Sequence, residues 1–457
     1  MTRRSDANAQ AGAGRAGLGL ALALLSAAVA LLLGGCDLDL TSLPVSSGTP
    51  TRAPATGEPT AEPAGEPTRP PADSSPPPPT VASLTIWTTE AFSPTEAITT
   101  GQILAQVVAA FEADHPDLQV EFVLKKPYGK GGMLDYLLTT GAAVPDLLPD
   151  LAFVDVDELP AAVQGDVVQP LDDLLPPELA VDLYAFARRG ATFDDRLMGL
   201  QFQADLDHMV YNTGVLAVPP RSWPGVLSNA GPYIFPAGGQ GGLVNDDFLI
   251  QYLAVRPWPP LGGPQQGFLD LASLAAVLQF YQDGVTRGVF PAKILEYHDN
   301  EACWVDYLAG RAALTHVSAR RYMADREQLQ SSAVAPIPGI NGATSAIGRG
   351  WALVLVASDP ARQALAVELM ARLLEPEVNA SWNQAAGTLP TRQSVLATSE
   401  TEDSYERFIH QQLTAAQPRP RLPNYAQVAA ALQNAVQEVV AGTQSPEEAA
   451  AELLENQ

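Results

Sequence analysis

The chain is poor in cysteine. Its 457 residues include two cysteines, Cys36 and Cys303, and Cys36 ends an apolar segment near the N-terminus. No disulfide can therefore form within the part of the chain that follows Cys36, and that part must be stabilised by packing. Cys303 precedes Trp304 in an apolar stretch, which favours a buried, unreactive thiol and a tryptophan of the core.

Basic residues are also scarce. The chain has 26 Lys and Arg against 51 Asp and Glu, a formal net charge of −25. Such an acidic chain repels nucleic acid and anionic lipid head groups, so we expect no nucleic-acid partner.

Signatures of catalysis and of metal binding are missing from the sequence. There is no G-x-S-x-G or H-E-x-x-H motif, the five histidines lack ligand spacing, and the glycine run 238–242 has no following Lys-Ser/Thr. We therefore expect no enzyme, no cofactor and no metal site. A glycoside-processing enzyme stays open as an alternative, because paired carboxylates could serve hydrolysis.

The N-terminus carries a targeting pattern. Three arginines precede the uncharged apolar run 17–33, which is followed by two glycines and Cys36. This pattern resembles a bacterial lipoprotein signal peptide. We expect residues 1–35 to be removed and Cys36 to be lipidated, palmitate included, holding the protein on the outer face of the cell membrane. An uncleaved transmembrane anchor is the alternative, because about 18 apolar residues approach the spanning minimum.

A second N-terminal segment, residues 36–80, begins with Cys36 and is rich in Pro and Thr. It has 12 prolines and almost no large apolar residues after Leu43. Such a composition cannot bury enough surface to fold, so it predicts a disordered tether.

The remaining body, residues 81–457, exceeds the roughly 250–300 residues that one hydrophobic core supports, which predicts two lobes. An alternating run at 83–88 and another at 118–124 flank an apolar helical pattern, which indicates a β-α-β unit with parallel strands. Further alternation of strand and helix patterns predicts the α/β class.

Local motifs place several element ends. The capping box at 93–96 predicts a helix start, and Pro145-Asp146 predicts a short apolar strand that Asp150 follows. Residues 352–356 read as a strand, and Asp359 and Ser445 as the N-caps of two helices.

Short motifs along residues 81–455 occur in a characteristic order. They are Leu84-Thr85-Ile86-Trp87, the run Phe111 to Pro116, Pro145-Asp146, Gly199-Leu200-Gln201, Val210-Tyr211-Asn212, Ser222-Trp223, the run Leu308 to Leu314, Pro338-Gly339, Gly350-Trp351, the run Gly387 to Arg392 and the turn Gly442 to Glu448. In this order they resemble the family 1 extracellular solute-binding proteins, the maltose-binding-protein-like lipoproteins of ABC importers.

The resemblance implies a two-lobed periplasmic-binding-protein-like fold in which each lobe is an α/β sheet, discontinuous in sequence, with solute in the cleft between them. We expect lobe 1 at 81–207 with 317–354, and lobe 2 at 208–316 with 355–457. Crossing strands are expected near 205–211, near 315–320 and near 353–356, with hinge closure around the solute.

The resemblance also implies the partners: a sugar or oligosaccharide and the transmembrane permease subunits of an ABC importer, bound by a monomer. The alternative is a binding lipoprotein that senses a ligand and signals to a receptor.

Regions that line the cleft in that family supply the candidate ligand-binding residues. Carboxylates suit sugar hydroxyls and tryptophans suit sugar ring faces, whereas helix capping or core packing is the plain alternative for each. The candidates are Glu90, Asp150, Asp205, Asp246, Arg320, Arg349 and Trp351. Gly350 is expected to allow a close backbone approach beside Trp351.

Two of these candidates depart from the family pattern. Arg320 stands where sugar binders carry an aromatic residue, and Arg349 replaces a glycine. We therefore consider an anionic solute, with a carboxylate or sulfate bound by one of the arginines. The alternative is that each arginine pairs with one of the many acidic residues of the chain.

Overall fold

A computed structural model describes most of the chain after the predicted tether. The described ranges are 82–94, 97–228, 231–257, 268–397, 403–422 and 424–455, all within one compact unit, Pro76–Gln457. The predicted signal peptide, the lipidation site Cys36 and the predicted tether lie outside them.

Strands make up two main sheets and one short hairpin in this part of the chain. They are β1 (Ala82–Thr88), β2 (Leu118–Leu124), β3 (Leu151–Asp155), β4 (Thr192–Phe193), β5 (Arg196–Leu197), β6 (Leu200–Asp205), β7 (Asp207–Asn212), β8 (Tyr233–Ile234), β9 (Leu314–Ser318), β10 (Ser332–Ala335) and β11 (Arg349–Leu355).

Helices cover these sheets. They are α1 (Thr99–Asp114), α2 (Met133–Ala143), α3 (Leu159–Gln164), α4 (Pro177–Asp182), α5 (Ala185–Gly190), α6 (Trp223–Leu227), α7 (Asp246–Val255), α8 (Leu271–Thr286), α9 (Asn300–Leu308), α10 (Ala319–Asp325), α11 (Pro360–Leu373), α12 (Pro376–Ala386), α13 (Gln393–Ala397), α14 (Ser404–Ala415), α15 (Tyr425–Val440) and α16 (Pro446–Glu455). Within the described ranges, no helix is both long enough and apolar enough to cross a bilayer.

The first sheet has the strand order β2-β1-β3-β11-β6 among the described residues. β1 runs parallel to β2 and to β3, which confirms the predicted β-α-β unit, whereas β11 runs antiparallel to β3 and β6. The carboxyl ends of β1, β2, β3 and β6 therefore share one edge with the start of β11.

The second sheet has the order β10-β7-β9-β8 among the described residues. Helices α8, α15 and α16 pack together beside it, and α9 packs on β9. The chain passes from the first sheet to the second between Asp205 and Asp207, as predicted for the first crossing. Two sheets with their own helices confirm the α/β, two-lobed architecture.

An aromatic cluster organises the first lobe. Phe92 stacks on Phe153 with ring centroids 4.4 Å apart and on Trp382 at 5.2 Å, and all three are buried. Phe92 belongs to a 3₁₀ turn, Glu90–Phe92, directly after β1. Burying Phe92 therefore holds the turn that carries Glu90 at the carboxyl edge of the sheet.

Most predicted elements are found, with two exceptions. The helix expected from the capping box at Ser93 begins at Thr99, and the box itself is only partly within the described residues. Pro145 and Asp146 begin a 3₁₀ turn, Pro145–Leu147, and not a strand. The apolar strand comes later as β3, because the fully buried run starts only at Leu151.

The caps at the C-terminal helices are confirmed. Asp359 accepts hydrogen bonds from the amides of Ala361 and Arg362, both at 3.0 Å. Ser445 Oγ accepts from the Glu448 amide at 3.3 Å while the Glu448 carboxylate accepts from the Ser445 amide at 3.2 Å, a reciprocal capping box.

The sheets divide the chain differently from the expected lobe ranges. β10 falls in the expected range of lobe 1 but pairs antiparallel with β7 in the second sheet. α11 and α12 fall in the expected range of lobe 2 but pack on α1 beside the first sheet. The reason is that the chain reaches the first sheet again only at β11, so the return crossing precedes Arg349 and does not occur near Thr315.

The buried aromatic and thiol predictions are confirmed. Cys303 and Trp304 are both fully buried in α9, and Trp304 Nε1 donates to Asp325 at 2.7 Å. Burial raises the pKa of the Cys303 thiol, so the thiol stays protonated.

Candidate functional site

The carboxyl edge of the first sheet brings several polar and aromatic residues together. Glu90 follows β1, Lys125 follows β2 and Asp155 ends β3. Trp351 pairs with Asp155 in the register of β11 and β3. Such an edge, facing a second lobe, is where α/β folds of this kind place ligands.

An aromatic platform lies in a cavity of about 610 Å³ at this edge. The rings of Tyr128 and Trp351 meet with centroids 5.7 Å apart, and Glu90 and Lys126 line the same cavity. Tyr128 Oη donates to the Asp155 carboxylate at 2.5 Å. The platform therefore offers exposed ring faces next to hydrogen-bonding groups.

Gly350 makes the position of Trp351 possible. Its φ is +151°, and a Cβ there would lie 2.0 Å from the carbonyl oxygen of Gln203 on the neighbouring strand. The close backbone approach expected at Gly350 is therefore confirmed.

Three carboxylates crowd the end of β3: Asp155, Asp157 and Glu158. Burial, followed by the negative charges of Asp155 and Asp157, raises the pKa of Glu158 to about 7. Burial also raises the pKa of Asp157 to about 6, although Arg419 opposes that shift. Glu158 Oε2 is buried without a hydrogen-bond partner among the described residues.

A second cavity, of about 350 Å³, lies between elements of the two lobes. The first sheet contributes Arg349, and the second lobe contributes Asn245, Asp246 and His298. The lining is rich in charged and amide groups, so this cavity complements the aromatic platform with hydrogen-bonding capacity.

Arginines and aspartates form an ionic network in this second cavity. Arg349 binds both carboxylate oxygens of Asp207, at 2.7 and 2.8 Å, and one of Asp246 at 3.0 Å. Arg419 binds Asp246 at 2.8 Å and Asp157 at 3.1 Å. Although burial alone would raise it, Arg419 and Arg349 hold the pKa of Asp246 below its ordinary value.

A third cavity, of about 420 Å³, adjoins the second one, since Arg419 and Tyr425 line both. Pro160, Phe186 and Leu422 give it apolar walls. The Arg421 guanidinium beside it donates to the carbonyls of Gly190 and Thr192 at 2.5 and 2.8 Å, near the carboxyl end of α5.

A buried chain of hydrogen bonds, called the relay below, lies next to the second cavity. His316 hydrogen-bonds Asp247 through Nδ1 and the Tyr233 hydroxyl through Nε2, and Asp247 reaches the cavity lining. All three residues are buried, and burial raises the pKa of Tyr233 well above its usual range. The relay fixes the orientation of Asp247 at the start of α7.

The structure brings four of the predicted residues to these cavities. Glu90 and Trp351 both line the cavity of the aromatic platform, and Asp246 and Arg349 bind each other in the second cavity. Arg349 is engaged by two carboxylates, which matches the alternative of an arginine paired with acidic residues and leaves little capacity for an anionic solute.

Asp205 and Arg320 are neighbours at the crossing between the lobes. Asp205 Oδ1 accepts from the amides of Leu206 at 2.9 Å and Arg320 at 3.2 Å. Asp205 therefore joins the end of β6 to the first turn of α10, while the Arg320 side chain is exposed. Burial raises the pKa of Asp205, although Arg349 lowers it.

Asp150 lies at the opposite edge of the first sheet, away from the cavities. It precedes β3 instead of following a strand, because Pro145–Leu147 is a 3₁₀ turn. Its buried carboxylate accepts from Arg362 Nε at 2.6 Å and from the Thr85 amide at 2.7 Å. The placement of Asp150 in the cleft is therefore corrected to a structural ion pair.

Sequence reasoning missed several residues of these cavities. Asp155 and Asp157 were hidden by the misplaced strand, although Asp-x-Asp-Glu directly after the apolar run 151–154 signals a strand end. Tyr128, Arg419 and Tyr425 lie in loops or at a helix start without local periodicity, so no sequence pattern marks them.

Within the described ranges, no group of three or more His, Cys, Asp or Glu side chains is arranged so that it could hold a metal ion.

Two α/β lobes that surround a cleft lined with aromatic and carboxylate groups define a protein of the solute-binding class. The bacterial extracellular solute-binding protein family matches residues 106–408. The chain belongs to this family, so the protein acts outside the cytoplasm.

Solved structures of binding proteins share the fold. The cyclic alpha-maltosyl-1,6-maltose binding protein of Arthrobacter globiformis is 17% identical, with a TM-score of 0.65 over 81% of this chain and 97% of that chain. The sugar-binding protein MalE of Xanthomonas citri is 19% identical, with a TM-score of 0.64 over 82% and 96%. A solute binding protein of Thermotoga lettingae, bound with alpha-D-tagatose, is 22% identical, with a TM-score of 0.60 over 82% and 98%. No curated protein sequence matches the chain.

Proposed function

We propose that this protein is the carbohydrate-binding component of an ABC importer and captures a neutral sugar or oligosaccharide between its two lobes. The observation that carries the proposal is the platform of Tyr128 and Trp351 beside the carboxylates Glu90 and Asp155.

The chemistry of this arrangement suits a sugar. The apolar C–H face of a pyranose packs on an aromatic ring, and its hydroxyls need partners because an unpaired buried hydroxyl costs about 1 to 3 kcal/mol. The Glu90 and Asp155 carboxylates accept such hydroxyls next to the rings. Asn245 and His298 add amide and imidazole groups from the second lobe.

The neighbouring structures support a carbohydrate, since the proteins described above bind cyclic alpha-maltosyl-1,6-maltose and alpha-D-tagatose. A neutral sugar is favoured over an anionic one because Arg349 and Arg419 already bind Asp207, Asp246 and Asp157. Of the predicted solute ligands we retain Glu90 and Trp351, with Asp246 as a supporting residue.

Capture without chemical conversion is part of the proposal, because the family consists of binding proteins. Release would occur at permease subunits in the membrane, and Cys36 would carry the lipid that keeps a monomeric protein close to them. Mass spectrometry of the purified protein tests the anchor: a mature N-terminus at Cys36 with acyl mass supports it, and a retained Met1 contradicts it.

Thermal-shift screening of the protein against neutral sugars, uronic and sulfated sugars, polyols and amino acids tests the solute class. A ligand that binds the native state raises the melting temperature, and the rise grows with the logarithm of the ratio of ligand concentration to dissociation constant. We expect neutral oligosaccharides to stabilise the protein. Stabilisation by anionic sugars alone would contradict the neutral class.

A further inference from the structure

The ionic network of the second cavity joins parts of the chain that belong to different lobes. Asp246 is the first residue of α7, which packs on α8 in the second lobe. Arg349 opens β11 of the first sheet. The contact of Arg349 with Asp246 at 3.0 Å therefore spans the two lobes.

Arg419 is also anchored on the first lobe. Gln417 pairs with the residues just before β11, its amide donating to Ala346 O at 2.9 Å and its carbonyl accepting from the Gly348 amide at 3.0 Å. Arg421 donates to Gly190 O at the carboxyl end of α5, which packs on β6. The segment 417–421 is thus fixed on the first-lobe side, and Arg419 reaches Asp246 from there.

Asp246 therefore receives two guanidinium groups from the first lobe while its own helix belongs to the second. Its side chain is 5% exposed, compared with 26% for Arg349 and 28% for Arg419. Solvent screens an ion pair with such a buried carboxylate only weakly. If the pair breaks while the carboxylate stays buried, water does not replace the lost interaction.

From this arrangement we propose that Asp246, Arg349 and Arg419 form an interlobe lock, which holds the two lobes in the relative orientation of this structure when no solute is bound. None of the three needs a solute to complete its ion pairs. In this proposal the lock pre-organises the cleft, because holding the lobes in the orientation that binds solute lowers the ordering cost of binding.

The variant Asp246→Asn removes the carboxylate charge that α7 of the second lobe presents to both arginines. It leaves Arg349 paired with Asp207, at the start of β7 next to the crossing between the lobes, and Arg419 paired with Asp157, so neither arginine loses its last carboxylate. Asp150→Asn is the matched control, since Asp150 is equally buried and pairs with Arg362 within the first lobe.

Distances between the lobes test the proposal directly. Spin labels at Leu147→Cys and Val218→Cys, two exposed positions on different lobes, report the interlobe distance by pulsed electron resonance in the full chain carrying Cys36→Ser. Without sugar, we expect one narrow distribution for the parent and for Asp150→Asn, and a broader, longer one for Asp246→Asn and for Arg419→Gln.

An unchanged distribution in folded Asp246→Asn or folded Arg419→Gln would overturn the lock, with folding checked by circular dichroism. Arg419→Gln serves as the second variant because the Arg419 side chain is more exposed than that of Asp246, so that its replacement perturbs folding less.

For any solute that binds the parent, we expect Asp246→Asn to bind about tenfold more weakly, a typical size for coupling between a conformational equilibrium and a ligand. Because the distances are measured without solute, they test the lock whether or not the solute is a sugar.

Discussion

At the scale of single residues, the cleft combines two kinds of group. Trp351 and Tyr128 supply ring faces, and Glu90, Asp155 and Asp157 supply acceptors. Neither kind alone selects a sugar, because aromatic faces bind many apolar ligands and carboxylates bind many donors. Their adjacency at one sheet edge is what suits a molecule with an apolar face and a hydroxyl rim.

Trp351→Ala tests the aromatic part of the site. We expect sugar affinity to fall about tenfold or more, because the stacking contact and its buried area together contribute roughly 1 to 3 kcal/mol. Titration calorimetry measures the change. Trp351→Phe should retain most of the affinity, and an unaltered affinity in Trp351→Ala would place the solute elsewhere.

Glu158→Gln tests the crowded carboxylates at the end of β3. Because burial and neighbouring charges raise the pKa of Glu158 to about 7, the folded state holds its proton where the unfolded state has lost it. The contribution of Glu158 to stability therefore falls as pH rises from about 4.5 to 7 and stays low above that.

The variant should consequently be more stable than the parent at pH 8, by about 1 kcal/mol after discounting for the partial exposure of Glu158, and equally stable near pH 4. Urea unfolding at both pH values measures this difference. Glu121→Gln, an exposed carboxylate on β2, is the control and should change little at either pH. Equal stability of the Glu158 variant and the parent at pH 8 would contradict the assignment.

At the scale of elements, the pairing of β6 and β11 positions the whole cleft edge. The register joins Arg349 to Asp205 and Trp351 to Gln203, with a bulge after Trp351. Gly350 allows this pairing because its missing Cβ leaves room for the Gln203 carbonyl.

Gly350→Ala should therefore reduce the free energy of unfolding by more than about 3 kcal/mol, since the added Cβ would displace a strand backbone. Chemical denaturation checks this value. Gly310→Ala is the matched control: Gly310 also has a positive φ, of 73°, but a Cβ there meets nothing within 4 Å, so only about 1 kcal/mol of backbone strain is expected. Similar losses in the two variants would contradict the close approach at Gly350.

Elements with strong local signals could be predicted from the sequence, and the others could not. α1 has apolar residues at helical spacing, so a helix was predicted there, although its start at Thr99 was not. Ser445 and Glu448 form a reciprocal cap, which was predicted correctly. β3 was placed too early because Pro145-Asp146 resembles a strand start, whereas the buried run begins at Leu151. That shift moved the site assignment from Asp155 and Asp157 to Asp150.

The lobe boundaries could not be predicted either, because they depend on pairing between strands that are far apart in the sequence. β10 joins the second sheet by pairing with β7, more than a hundred residues away, and no local pattern reports a partner at that distance. Arg419 likewise contacts Asp157 and Asp246 only through tertiary folding. Residues whose role depends on distant partners therefore need the structure.

At the scale of the whole molecule, the two lobes with the cleft between them account for the proposed cycle. A solute that contacts both lobes stabilises their closed arrangement, because closure adds contacts that the open form lacks. Small-angle scattering should therefore show a smaller or equal radius of gyration when sugar is added, and an increase would contradict closure around the solute.

The central claim is that a neutral sugar binds at the platform of Trp351 and Tyr128. Titration calorimetry of the parent, Trp351→Ala and Asp150→Asn against neutral oligosaccharides tests it most directly. The account predicts saturable one-site binding by the parent, unchanged affinity in Asp150→Asn and about tenfold or greater weakening in Trp351→Ala. Sugar binding that survives Trp351→Ala unaltered, or binding of an anionic solute with no affinity for any neutral sugar, would contradict it.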